Sequence, residues 1–116
     1  MDLGVSHLVK SAGNSVSGLK IAFANEQAFR HECCVFVALT AVLALTGKPA
    51  QVWLGVLSAW LGVMAVELLN SAIEKTCDLV TKEYHPLIKA AKDMASAAIF
   101  VAIAANAGLW LAVFVL

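Results

Sequence analysis

The sequence has few charged residues, and this scarcity excludes most soluble folds. Only 14% of its 116 residues are Asp, Glu, Lys or Arg, whereas 61% are hydrophobic. A soluble domain of this size is normally about 25% charged and about 45–50% apolar. The formal net charge is zero, and no basic patch with interleaved aromatic residues is present. We therefore expect a membrane protein that has no nucleic-acid partner.

Several common functional signals are also missing. The three cysteines, Cys33, Cys34 and Cys77, lack metal-ligand spacing and are interpreted as small packing residues. The N-terminus has no basic segment followed by an apolar one, so no removable signal peptide is predicted. A phosphate-binding loop is excluded at residues 13–20, because Leu19 separates the second glycine from the lysine.

Three apolar blocks predict membrane-spanning helices, which need about 20 apolar residues each. We predict an all-α integral membrane protein with a single domain, residues 1–116. Its elements are an amphipathic surface helix over 1–27 and transmembrane spans over 28–46, 50–69 and 91–116. The second span is expected to continue as a cytoplasmic helix to about residue 82. Small residues recur along the last two spans, which favours close helix packing and self-association.

The first 27 residues show the helical spacing of apolar side chains that is typical of a helix lying in the membrane surface. Packing on the other helices would leave the same pattern. Seven of the eight basic residues lie before the first span, at its first turn (Arg30) or between the second and third spans, and Lys48 alone lies in the turn between the first two. The positive-inside rule therefore predicts a cytoplasmic N-terminus and an external C-terminus.

A row of polar residues begins where the apolar sequence of the second span ends. Glu67, Asn70, Glu74 and Asp78 follow one another at i, i+3, i+7 and i+11, so they share one helix face. We call this row the acidic stripe. Carboxylates at the hydrocarbon boundary are costly and usually serve an ion, a proton or a substrate. The predicted orientation places the stripe within reach of cytoplasmic ATP and Mg²⁺.

Two further polar clusters each allow two interpretations. Glu26 and Arg30 are spaced i, i+4, as in an ordinary helix-surface ion pair, but Glu26 would also suit a divalent cation shared with Glu74. The segment 83–85, followed by lysines, is either a solvated connection or a surface that pairs with phosphate groups.

Three segments together resemble the prokaryotic diacylglycerol kinase family. They are N-E-Q-A-F-R-H-E at 25–32, E-L-L-N-S-A-I-E at 67–74 and A-K-D at 91–93. The resemblance covers about the whole chain. It implies a homotrimeric kinase of the bacterial inner membrane that uses ATP and Mg²⁺. The expected substrate is the hydroxyl of a membrane lipid, diacylglycerol, and the product is phosphatidic acid.

The resemblance also implies a role for individual residues. Glu67 would be the general base, Asn70 would position the reacting groups, and Glu26 and Glu74 would hold the Mg²⁺ that bridges the ATP phosphates. The implied ATP-binding residues are Glu26, Glu74, Glu83, Tyr84, His85, Lys92, Asp93 and Asn14. The implied lipid-binding residues are Phe29, Arg30, Glu32, Glu67, Ser96 and Trp110. Asn14 stands where the family pattern has a tyrosine, and His7 stands where it has an arginine.

Three alternatives stay open at this point. An undecaprenol kinase shares the same motifs, although Met94 and Ser96 favour diacylglycerol as the substrate. A small proton-coupled multidrug transporter would also be a short apolar chain with a membrane carboxylate, but we expect four spans in such a protein, with its key glutamate inside the first. The third alternative is a noncatalytic membrane subunit, in which the acidic stripe would have no function.

Overall fold

The computed structural model describes residues 3–116, and all regular structure in this range is helical. The elements are α1 (Leu3–Asn25), α2 (Gln27–Thr46), α3 (Ala50–Val80) and α4 (Pro86–Trp110), followed by a π-helical turn over Leu111–Val115. Three stretches, Gln27–Thr46, Ala50–Val80 and Pro86–Val115, are long and apolar enough to cross a membrane. The predicted all-α fold with three apolar spans is confirmed, and it does not match the four spans expected of a multidrug transporter.

The helix ends follow from local sequence. Gly47 closes α2 in the left-handed conformation, with φ of 63°, which glycine adopts without steric cost. Pro49 precedes α3, and Pro86 occupies the first turn of α4, where a missing N–H costs nothing. The side chain of His85 accepts a hydrogen bond from the backbone N–H of Leu87 at 3.1 Å, so it caps the start of α4.

The junction between α1 and α2 is a single residue, Glu26, whose backbone is extended (φ −113°, ψ 107°). Arg30, one turn into α2, reaches back to the end of α1. Its guanidinium donates hydrogen bonds to the carbonyls of Phe23 and Ala24 at 2.8 and 3.1 Å. These carbonyls have no hydrogen-bond partner within α1. Arg30, at the start of α2, therefore supplies the hydrogen bonds for the end of α1.

The core lies between α2 and α3 and is covered by α4. Leu39 and Leu43 of α2 pack with Val56, Trp60 and Val63 of α3. The amide of Asn106 on α4 donates to the carbonyl of Ala59 at 3.2 Å, an interhelical bond of the kind that polar residues make inside membranes. The fold thus brings three helices side by side.

On α1, the apolar side chains of Val5, Leu8 and Val9 are exposed within the single chain. The placement of this helix in the membrane surface stays a prediction. At the opposite end of the bundle, the Lys48 ammonium donates to the carbonyl of Val113 at 3.0 Å. This hydrogen bond connects the link between α2 and α3 to the π-helical turn that follows α4.

Candidate active site

The acidic stripe runs along α3 from a buried end to an exposed end. The Glu67 side chain is buried, with 6% of the residue exposed, Asn70 is half-buried, and Glu74 is exposed. From Glu67 to Glu74 the helix rises about 10 Å, so the two carboxylates lie in different surroundings. A group bound along this face would meet a dry carboxylate at one end and a solvated one at the other.

Asn70 links the two carboxylates. Its amide nitrogen lies 3.3 Å from Oε2 of Glu67 and 3.4 Å from Oε1 of Glu74. An amide –NH₂ has two hydrogens and can serve both acceptors. The Asn70 Oδ1 atom is buried and has no hydrogen-bond partner among the described residues. Asn70 therefore fixes the spacing of the two carboxylates and keeps an acceptor available.

Glu26 comes to the same end of the bundle from the junction of α1 and α2. Its Oε1 accepts a hydrogen bond from the ammonium of Lys75 at 2.8 Å, and Lys75 is the neighbour of Glu74 on α3. The sequence analysis considered Arg30 as the ion-pair partner of Glu26. In the structure that partner is Lys75, because Arg30 caps α1. Lys75 is a member of this site that the sequence analysis counted only among the basic residues of one membrane side.

The fit of these carboxylates to Mg²⁺ depends on additional ligands. Within residues 3–116, no three His, Cys, Asp or Glu side chains lie close enough together to hold a metal ion. Mg²⁺ needs only one or two carboxylates when phosphate oxygens and water complete its octahedron. Glu26 already holds a positive group, the Lys75 ammonium. These carboxylates therefore suit a cation that is also bound by nucleotide phosphates. They do not form a site in which protein side chains alone enclose a metal ion.

A small cavity lies beyond the stripe, around the link between α3 and α4. It measures about 200 Å³, and its lining includes five of the residues expected to bind nucleotide, Glu83, Tyr84, His85, Lys92 and Asp93. Lys82 and Lys89 line it as well. The sequence analysis counted Lys89 among the lysines that could pair with phosphate groups, but it assigned Lys82 no contact. Asn14 lies on α1 and is exposed, and it is not among the residues that line this cavity.

Two ion pairs hold three charged side chains of this cavity in place. The Lys92 ammonium lies 2.9 Å from Oδ1 of Asp78, and the Lys89 ammonium lies 2.6 Å from Oδ2 of Asp93. Asp78 is the last member of the acidic stripe, and the sequence analysis left its role open. It joins α3 to α4 through Lys92, so it belongs to the surroundings of the cavity.

The residues expected on the lipid side occupy several different places. Phe29 and Glu32 are buried at the start of α2, and the backbone carbonyl of Glu32 accepts a hydrogen bond from the indole N–H of Trp60 at 2.8 Å. Ser96 is exposed on α4. Trp110 packs against Trp60 with the two rings tilted by 42° and 5.5 Å between their centroids, and Trp60 lies two turns along α3 from Glu67. Within one chain these residues therefore do not meet at a single place.

A cleft of about 450 Å³ separates α1 from α3 and opens next to the stripe. Its walls are mainly apolar, with Leu19, Ala22 and Leu68 among them, and the Glu26–Lys75 pair lies at its polar end. Ser71, which is buried one turn from Glu67, also lines it. The cleft thus combines an apolar surface with access to the carboxylates.

A family profile described as prokaryotic diacylglycerol kinase matches residues 13–114 of the chain. This match includes α1 from residue 13 onward, the whole of α2, α3 and α4, and every residue of the stripe. The chain belongs to the prokaryotic diacylglycerol kinase family. The resemblance stated from the three sequence segments is confirmed, and so is the prediction that the chain is an enzyme of this family.

Curated relatives agree over nearly their full lengths. A diacylglycerol kinase of Haemophilus influenzae is 44% identical over 110 residues, which cover 92% of this chain and 91% of that protein. One from Pseudomonas aeruginosa is 39% identical over 107 residues, covering 92% and 87%. One from Escherichia coli is 38% identical over 100 residues, covering 86% and 82%. The similarity therefore extends beyond the site and covers most of the chain.

Proposed function

We propose that this member of the family transfers the γ-phosphoryl group of ATP to the hydroxyl of 1,2-diacylglycerol and releases phosphatidic acid and ADP. The observation that carries the proposal is the change in solvent exposure along the acidic stripe. A buried carboxylate, Glu67, is linked through Asn70 to an exposed carboxylate, Glu74. A lipid hydroxyl would meet the buried end, and a nucleotide phosphate would meet the exposed end.

In this mechanism Glu67 acts on the lipid. Its carboxylate takes the proton of the lipid hydroxyl, whose oxygen then bonds to the γ-phosphorus. The bond from that phosphorus to the bridging oxygen breaks, and its electron pair leaves on ADP. Asn70 holds Glu67 at a fixed distance from Glu74. Because phosphoryl transfer depends mainly on positioning and on charge stabilisation, this spacing is the main contribution of α3.

Glu26 and Glu74 are the proposed ligands of Mg²⁺, and ATP phosphates would complete its coordination. When bound, the ion supplies neutralisation of phosphate charge. Lys92 and Asp93 would contact the nucleotide, together with Glu83, Tyr84 and His85 of the small cavity. Asn14 on α1 is a proposed further contact. Phe29, Arg30, Glu32, Ser96 and Trp110 are the proposed lipid-side residues.

The proposed location is the bacterial inner membrane, with the acidic stripe on the cytoplasmic side and the C-terminus outside. The basic residues support this orientation through the positive-inside rule. A homotrimer is also proposed. In the candidate span of α4, only 6% of the residues are buried within one chain, and Phe100 and Val101 are 75% and 65% exposed. Contacts between copies would cover part of this surface and would bring Ser96 or Trp110 of one copy to the site of another.

The test is transfer of labelled γ-phosphate from ATP to lipid by the purified protein in mixed micelles. We expect transfer to diacylglycerol that requires Mg²⁺ and that is lost when Glu67 is replaced by glutamine. Undecaprenol, offered at the same mole fraction, should be a poorer acceptor. Preferential labelling of undecaprenol would overturn the choice of substrate, and no labelling of any lipid alcohol would overturn the kinase proposal.

A further inference from the structure

The small cavity at the link between α3 and α4 has three lysines in its lining, Lys82, Lys89 and Lys92. Two of them are already bound to carboxylates. The Lys92 ammonium pairs with Asp78 at 2.9 Å, and the Lys89 ammonium pairs with Asp93 at 2.6 Å. No salt bridge among residues 3–116 involves Lys82. Its ammonium is therefore the positive charge of this cavity that no carboxylate in the described part of the chain neutralises.

The backbone on both sides of Lys82 is fixed, although the residue itself is exposed. The N–H of Thr81 donates to the carbonyl of Cys77 at 3.0 Å and closes α3. The hydroxyl of Thr81 accepts a hydrogen bond from the backbone N–H of Glu83 at 3.1 Å, which forms a threonine turn with Lys82 at its centre. When Lys82 binds an anion, only its side chain has to become ordered.

The other polar groups that line the cavity are less suited to bind a phosphate. The carboxylates of Glu83 and Asp93 accept hydrogen bonds but do not donate them, and they repel a phosphate. His85 already uses its Nδ1 atom to cap the start of α4. The two paired lysines would first have to leave their carboxylates. An anion that enters the cavity therefore meets Lys82 as its available cationic partner in the described part of the chain.

The position of Lys82 along α3 fits the inner end of a nucleotide's phosphate chain. In the proposed mechanism the γ-phosphate lies at Glu74. From Glu74 the helix rises about 9 Å to its last residue, Val80, and Lys82 follows in the link. The α-phosphate of an extended nucleotide lies somewhat closer to the γ-phosphate than this, and the flexible four-carbon stem of a lysine can reach back over the difference.

We propose that Lys82 binds the α-phosphate of the nucleotide, and that it does so for ATP and for the product ADP alike. Its ammonium would donate a charge-assisted hydrogen bond to an α-phosphate oxygen. The inference rests on the proposed use of ATP by this chain. Because the α-phosphate does not change during the transfer, this contact stabilises the ground state and the transition state equally. Lys82 therefore affects the KM for ATP and leaves kcat nearly unchanged.

Kinase assays in micelles of a neutral detergent test the contact. Lys82→Gln removes the charge and should raise both the KM for ATP and the inhibition constant of ADP about fivefold, with kcat within about twofold of the wild type. Lys82→Arg keeps the charge and should keep both constants within about twofold of the wild-type values. Lys20→Gln removes one positive charge from an exposed position on α1. It is the matched control and should change neither constant.

Equilibrium binding of ADP gives a readout that does not depend on turnover. Lys82→Gln should bind ADP about fivefold more weakly than the wild type at low ionic strength, and added salt should reduce this difference because it screens exposed charges. Neutral micelles contain no phospholipid, so the phosphate that Lys82 binds in them belongs to the nucleotide. A second series with phosphatidylglycerol in the micelles tests whether lipid headgroups compete for Lys82.

Four outcomes would overturn the inference. The first is an unchanged affinity for ATP and ADP in Lys82→Gln. The second is a loss that Lys82→Arg shares, because it would show a structural effect of the side chain. The third is a loss for ATP alone, which would place Lys82 at the terminal phosphate. The fourth is an effect of Lys82→Gln that appears only with phosphatidylglycerol.

Failure of the kinase proposal would look different. The wild-type protein would then transfer no phosphate to any lipid alcohol, whereas the binding of ADP by the wild type and by Lys82→Gln would still show whether Lys82 contacts the nucleotide.

Discussion

Lys75 on α3 donates a hydrogen bond to Glu26 across 2.8 Å, and this ion pair joins α3 to the junction of α1 and α2. Both ends are accessible to solvent, with 57% and 25% of the two side chains exposed. Exposed pairs add little to stability, so the main effect of this one is to give the Glu26 carboxylate a cation partner. That partner competes with any metal ion that uses Glu26.

The first prediction concerns this competition. Lys75→Gln frees the Glu26 carboxylate and should lower the Mg²⁺ concentration for half-maximal kinase activity about threefold, with little change in melting temperature. The measurement is a Mg²⁺ titration at fixed ATP. Lys20→Gln removes one positive charge from α1 and should leave the titration unchanged. A higher Mg²⁺ requirement in Lys75→Gln would show instead that the ammonium assists phosphate binding.

The second prediction concerns the link between the two carboxylates of the stripe. Asn70→Ala removes both hydrogen bonds to Glu67 and Glu74 and should lower kcat about 100-fold, because misplaced groups lose most of the benefit of positioning. Steady-state kinetics with diacylglycerol provide the measurement. Thr76→Val is a suitable control, since its hydroxyl bonds only to the carbonyl of Ala72 in the same helix. An Asn70→Ala enzyme with normal kcat would remove Asn70 from the mechanism.

The third prediction assigns a role to Asp78. It holds the Lys92 ammonium at 2.9 Å, so Asp78→Asn should release Lys92 and raise the KM for ATP about fivefold with a smaller effect on kcat. In the double variant with Lys92→Ala, the effect of Asp78→Asn should disappear. Additive effects of the two changes would mean that Asp78 acts independently of Lys92.

The fourth prediction concerns the interhelical bond of Asn106. Asn106→Leu removes the donor to the Ala59 carbonyl and should destabilise the folded protein by about 0.6 kcal/mol, the average for such bonds in membranes, and by no more than about 1.7 kcal/mol. Unfolding in a mixed detergent series measures the change. Thr40→Val loses only a bond to Phe36 in its own helix and should have a smaller effect. Equal losses in the two variants would argue against an interhelical contribution.

The sequence was sufficient to predict the helices, because long apolar runs and helical spacing are local properties of the chain. It also predicted that Glu67, Asn70 and Glu74 share a face, and in the structure Asn70 contacts both carboxylates. The break at Glu26 was harder to predict, since neither proline nor glycine marks it. It depends on Arg30, whose side chain satisfies the end of α1.

Contacts between helices were the least predictable part of the site. The pairs Lys75–Glu26 and Lys92–Asp78 join residues 49 and 14 positions apart, and no local pattern specifies such partners. The hydrogen bond from the Trp60 indole to the Glu32 carbonyl likewise depends on how α2 and α3 pack.

The link at Gly47–Pro49 has a consequence for biosynthesis. With three residues between α2 and α3 and a left-handed turn at Gly47, these helices form a closed hairpin. Such a hairpin can enter the bilayer as one unit, so the indole N–H of Trp60 need not be exposed to lipid before the Glu32 carbonyl that accepts its hydrogen bond is in place. We expect a longer linker, which delays the second helix, to reduce the yield of inserted protein.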